Sequence, residues 1–255
     1  MKIIISLILI AIMLFLVPEK GFIKNRLLTS IIVIVYSLLL MVIISLAPAS
    51  GKFYWPDFII LGIMFAWMMK RFFAIYLIKQ ANLIEFELIY RLLFIGLFCF
   101  YFLYRKIPIH FELNLDYRAL FTTLSITIAI VAIDVYVAWK LKFLRLSWCR
   151  ANWKTIIIIT IYMFFFVSLT QEVLFRGLIY GYLVQFFPKY GLPLILSSVI
   201  FGLGHLNYLG WKMVIVSTLA GLGYCLVYKF TGSMICAMVS HTLTNLVWLL
   251  FMRRM

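Results

Sequence analysis

Long apolar runs separated by short polar and basic segments set the pattern of this chain. The runs fall at about 3–17, 28–47, 57–78, 86–104, 118–139, 155–171, 191–206, 213–229 and 233–251. Most approach the ~20 residues that a helix needs to cross roughly 30 Å of hydrocarbon. Lys70 and Arg71 interrupt the third, so the pattern predicts eight or nine spans. No run alternates apolar and polar residues as a barrel strand does, and in lipid each segment must satisfy its own backbone groups. The expected fold is therefore all-α, a polytopic membrane helical bundle. Pro188 and Pro193 bracket one expected turn, and Gly232 marks the turn between the last two helices. The first run ends in Pro18-Glu19-Lys20 with no small-x-small cleavage site, so it reads as a retained span rather than a signal peptide.

Composition agrees. The 255 residues are 66% hydrophobic and 12% charged, about half the charged share of a soluble domain. The net charge of +15 does not indicate nucleic acid, because the Lys and Arg residues flank apolar runs instead of forming one stripe. That is how membrane topology is signalled. Some are also placed to bind anionic lipid headgroups. The segment from Lys140 to Lys154, with Lys142, Arg145 and Arg150, and the segment with Lys20, Lys24 and Arg26 are expected to be cytoplasmic, together with Arg253 and Arg254. Cys99, Cys149, Cys225 and Cys236 form no CxxC. They read as small hydrophobes, neither a disulfide framework nor a metal site.

Two parts are expected. Residues 1–150 hold spans with few internal polar groups, Arg91 and Asp134 being the exceptions, and are expected to shape substrate access or meet a partner. Asp134 is expected to pair with a basic residue or face a watery cleft, and His110 to lie on the surface. Residues 151–255 carry the chemistry. Glu172 and Arg176 are four apart, on one helix face. His205 follows Phe201 by four at the head of a Gly-rich turn, and His241 and Asn245 are again four apart. Each ionisable group in a span costs about 2.5 kcal/mol or more. Taken singly, these are a stapling ion pair, a structural histidine and an interhelical hydrogen-bond device. Together, on separate neighbouring helices, a carboxylate, two imidazoles and an amide supply what hydrolysis needs: a base for water and donors for an oxyanion.

These residues resemble the CPBP intramembrane proteases, which include the CAAX prenyl endopeptidases and the bacterial Abi proteins. That family's pattern is Glu-Glu-x-x-x-Arg, Phe-x-x-x-His and His-x-x-x-Asn on separate helices. Here it reads Gln171-Glu172-x-x-x-Arg176, Phe201-x-x-x-His205 and His241-x-x-x-Asn245. The resemblance implies a C-terminal catalytic core in which position 171 and His205 activate water. It also implies that His241 and Asn245 stabilise the oxyanion, and that Glu172 and Arg176 brace the helix. It further implies a membrane-anchored or hydrophobic peptide substrate and a place in a bacterial cytoplasmic membrane.

The departure falls on the base. An amide cannot take a proton from water, so the chain as written is expected to be inactive. Gln171 reads as an engineered Glu→Gln exchange, favoured because every other motif residue is intact, or as the mark of a natural pseudoenzyme. In the second case the protein is a membrane scaffold or binding protein. No cofactor is expected. The alternative is zinc held by Glu172, His205 and His241, disfavoured because no His-x-x-x-His or His-Glu-x-x-His spacing occurs. A transporter is disfavoured because the polar groups are confined to one cluster of helices. Nothing in the chain specifies a substrate sequence or an oligomeric state.

Overall fold

The computed structural model describes residues 95–106, 112, 116–147, 152–187, 191–206 and 210–254. Before residue 95 it describes only Val35, Leu38, Met41, Val42, Ile44, Ser45, Asp57 and Gly62. Arg91, His110, Cys149, Lys70, Arg71 and Pro188 therefore lie outside the described residues. The chain forms two compact units, 1–108 and 109–255.

In the first unit helix α1, Ile95–Arg105, is the shorter apolar helix. Its end is held by a fully buried ion pair, Arg105 Nη2 to Asp57 Oδ2 at 2.7 Å, and the Tyr101 hydroxyl donates to Asp57 Oδ1 at 2.8 Å. Pairing offsets the cost of burying both charges. Asp57, at the edge of an apolar run, was not among the expected polar exceptions. Cys99 on the same helix is exposed, whereas Cys225 and Cys236 in the second unit are buried as expected.

The second unit is built from α2 (Tyr117–Lys140), α3 (Trp153–Phe186), α4 (Leu192–Leu203), α5 (Trp211–Thr231) and α6 (Met234–Phe251). Among the described residues four helices, α2, α3, α5 and α6, are long and apolar enough to cross a membrane. Their outer faces expose large apolar side chains such as Phe121, Ile128, Ile158 and Phe230. So much bare apolar surface is stable only against lipid, and the protein is a multi-pass integral membrane protein.

Local signals set the helix ends. Asn152 caps α3 by accepting from Thr155 N at 2.8 Å, and Ser233 caps α6 by accepting from Cys236 N at 3.3 Å. Gly232 ends α5 with φ 68°, a left-handed conformation that costs glycine little. Two lengths differ from the hydropathy pattern. α3 runs on for 34 residues, well past the apolar run, because Glu172 and Arg176 neutralise one another inside it. α4 has only 12 residues, about 18 Å, and stops at Gly204 instead of continuing to residue 206.

One short two-stranded ribbon accompanies the helices. β1 (Leu144–Leu146) pairs antiparallel with β2 (Met252–Arg254), Arg145 opposite Arg253. Ser147 N extends the tie, donating to Phe251 O at 2.9 Å. The ribbon brings the basic Lys140–Lys154 segment and the Arg253–Arg254 end to one end of the bundle. Trp139, Trp153 and Trp211 sit exposed at helix ends there, as an interfacial belt would. Trp248 instead packs on a core of Ala138, Phe143, Leu144, Val216 and Met252.

α4 lies close along α5, because small residues remove the bulk between them. A Cβ on Gly202 would fall on the Thr218 hydroxyl and within 2.7 Å of Val214 O, and one on Gly221 would come within 2.9 Å of the Phe201 ring. Gly202→Ala is thus expected to destabilise the fold by about 1–3 kcal/mol, read as a lower melting temperature in detergent. An unchanged melting temperature would show that α4 can move away from α5 freely.

Asp134 lies on α2. It is completely buried on the α2 face, and both carboxylate oxygens lack a hydrogen-bond partner among the described residues. Among the described residues no basic side chain pairs with it.

Candidate active site

The site forms where α3, α4, α5 and α6 meet. Seven residues separate His241 from the start of α6, and seven separate Tyr224 from the end of α5. At 1.5 Å per residue both lie about 10 Å from the end of the bundle opposite the ribbon.

α3 is not a regular helix here. Two π-helical segments, Met163–Ser168 and Val173–Tyr180, flank the α-helical turn Leu169–Glu172. Such insertions recur at functional sites because they change which side chains face inward. Every residue from Thr170 to Leu178 is buried, so Gln171, Glu172 and Arg176 all point into protein. Thr170 spends its hydroxyl locally, donating to Phe166 O at 2.7 Å.

Glu172 is the hub. Its Oε1 accepts from His241 Nδ1 at 2.6 Å and from Arg176 Nη1 at 3.2 Å. Arg176 Nε lies 3.0 Å from Oε2, an ionic contact bent away from hydrogen-bond alignment. Arg176 Nη2 then donates to Gly221 O on α5 at 2.6 Å. Glu172 and Arg176 are completely buried and His241 nearly so. Because a carboxylate only accepts, Nδ1 of His241 carries the proton and Nε2 is the edge turned away from Glu172. The guanidinium carbon sits 4.9 Å from the Phe201 ring centroid and 5.3 Å from that of Tyr224, a cation held against aromatic faces.

His205 lies just past the end of α4. Its Nδ1 is 3.0 Å from Phe201 O. A carbonyl only accepts, so Nδ1 carries the proton and Nε2 holds the lone pair. The Phe201 ring packs near both histidines, 4.9 Å from the His205 ring and 5.7 Å from the His241 ring. The Phe-x-x-x-His spacing thus places one phenyl ring against both imidazoles and the guanidinium.

Five of the six expected site residues sit at this junction in defined relation. Glu172, Arg176 and His241 touch directly, His205 joins them through Phe201, and Gln171 is buried beside Glu172. Its Oε1 has no hydrogen-bond partner among the described residues. Asn245 is one turn beyond His241 on α6 and half-buried. Neither Gln171 Oε1 nor Asn245 is joined to the Glu172–His241 pair by a hydrogen bond among the described residues. The sequence did not reveal the bond from Glu172 to His241, since residues 69 apart carry no mutual spacing signal. Nor did it reveal the part in the site of α5, whose Gly221 and Tyr224 touch it. A glycine and a tyrosine three apart in an apolar helix were the available clue.

Among the described residues no group of three or more His, Cys, Asp and Glu is gathered to hold a metal ion. Glu172 and His241 Nδ1 are also already engaged with each other.

Residues 152–247 match the family described as type II CAAX prenyl endopeptidase, Rce1-like. No curated protein and no solved structure matches the chain. The matched stretch contains all three motifs and nearly all of the four helices that meet at the buried Glu172–Arg176–His241 cluster, so the likeness to that endopeptidase family falls on the part of the chain that builds the site.

Proposed function

We propose that the protein is an intramembrane endopeptidase fold that acts on a membrane-anchored or lipidated peptide, in a bacterial cytoplasmic membrane and with eight or nine spans in all. Gln171 occupies the position of the water-activating base and leaves the unaltered chain nearly inactive. The observation that carries this reading is the buried cluster itself. A carboxylate bound to both an arginine and a histidine, with a second imidazole against the same phenyl ring, is costly to maintain in lipid. A membrane scaffold would not need it. Position 171 and the Nε2 of His205 would hold the attacking water, while His241 and Asn245 would meet the oxyanion. No resident metal is needed for these roles.

The test uses purified protein in detergent or liposomes with membrane-anchored reporter peptides, and products are read by mass spectrometry. The Gln171→Glu form is expected to cleave, and His205→Ala or His241→Ala in that form to abolish cleavage. Chelators are expected to leave it unchanged. Chelator-sensitive cleavage would overturn the metal-free mechanism. Failure of the Gln171→Glu form on every anchored peptide would favour a catalytically inactive scaffold or binding protein.

A further inference from the structure

The three motifs lie on α3, α4 and α6, yet α5, which carries none of them, supplies one wall of the site. Tyr224 on α5 lays its ring against His241, with the planes 12° from parallel and the centroids 4.5 Å apart. The same ring meets Phe201 edge-on at 5.8 Å and faces the Arg176 guanidinium. Its hydroxyl lies toward Thr244 on α6, whose own hydroxyl donates to Ser240 O at 2.9 Å. Tyr224 is 1% exposed.

These contacts restrain different motions of one imidazole. The bond from Nδ1 to Glu172 fixes a direction along the ring edge but permits turning about that line. A parallel ring at stacking distance opposes the turn, because rotation would drive the imidazole edge into the phenol face. Tyr224 is in turn confined, since it is buried and its ring meets Phe201 edge-on. The buried Arg176 guanidinium closes off its remaining freedom. We propose that Tyr224 is a positioning residue for His241. It holds the imidazole plane so that Nδ1–H meets Glu172 and Nε2 faces the reacting groups. Tyr224 acts through His241 and does not touch substrate. The kinetic consequence rests on the hydrolytic reading above, whereas the ring placement does not.

Two measurements test it. Nitrogen-15 histidine labelling of the unaltered chain in micelles gives three imidazoles, which His110→Gln and His205→Gln assign. The His241 Nδ1–H resonance is expected to be retained in Tyr224→Phe, which keeps the ring, and shifted or lost in Tyr224→Leu. In the Gln171→Glu form, Tyr224→Phe is expected to stay within about threefold in kcat. Tyr224→Leu is expected to lower kcat by roughly tenfold to a hundredfold at constant KM, the scale of a small misplacement of a reacting group. If Tyr224→Leu reduces folded yield, Tyr224→Met makes the same comparison. An unchanged His241 resonance and kcat on loss of the ring would overturn the proposal. Equal losses in Tyr224→Phe and Tyr224→Leu would overturn it in favour of the hydroxyl. If the Gln171→Glu form cleaves nothing, the hydrolytic reading fails, while the resonance comparison still decides the placement of Tyr224.

Discussion

Changing Gln171 to Glu is expected to raise peptide cleavage by about 10²–10⁴-fold, the usual contribution of a positioned general base. The two side chains are nearly the same size, so packing on α3 should survive the exchange. What changes is charge and basicity at a buried atom. Gln171 Oε1 has no hydrogen-bond partner among the described residues, so the site already presents an acceptor there. It lacks the negative charge that would draw a proton from water. The neighbouring carboxylate cannot substitute, because Arg176 and His241 bind it. Side-by-side kcat/KM values for the two forms decide the matter. Strong cleavage by the unaltered chain would place the base elsewhere, with Glu172 and the imidazole it holds as first suspects.

Glu172→Ala is expected to destabilise the protein by about 3–5 kcal/mol, the cost of leaving a buried charge without its partner. The loss should exceed that of an ordinary helix pair because Glu172 serves two partners at once. Arg176 would remain completely buried, held by Gly221 O and aromatic faces alone, and His241 would lose the acceptor at Nδ1. Thermal unfolding in detergent and folded yield by size exclusion measure the effect. Replacing Glu172 and Arg176 together by Met should cost much less, since removing both charges leaves neither stranded. A fully stable Glu172→Ala protein would contradict the hub role of this carboxylate.

Much of the site was visible in the chain. Spacings of four put Glu172 with Arg176, Phe201 with His205, and His241 with Asn245 on shared helix faces, since a helix repeats every 3.6 residues. The cost of charge in lipid then implied convergence. Less visible was anything that depends on two distant segments meeting. The Arg105–Asp57 ion pair and the Arg145–Arg253 register each join residues with no mutual sequence signal. The π segments of α3 were also hidden, because they depend on how neighbouring helices pack and not on local propensity.

The sequence by itself determined that the protein is a membrane-spanning helical chain, and which polar residues inside it are the candidates for chemistry. Long apolar runs have one backbone solution of this kind in lipid, and buried charge is too costly to be idle. Only the tertiary structure decided how those residues are connected. It joined Glu172 to His241 as well as Arg176, ended α4 just before His205, and brought Tyr224 from a helix without a motif onto the imidazole. Such pairings follow from which helix faces meet. That choice is made by close packing at Gly202 and Gly221 across α4 and α5, and no periodicity within a single helix encodes it.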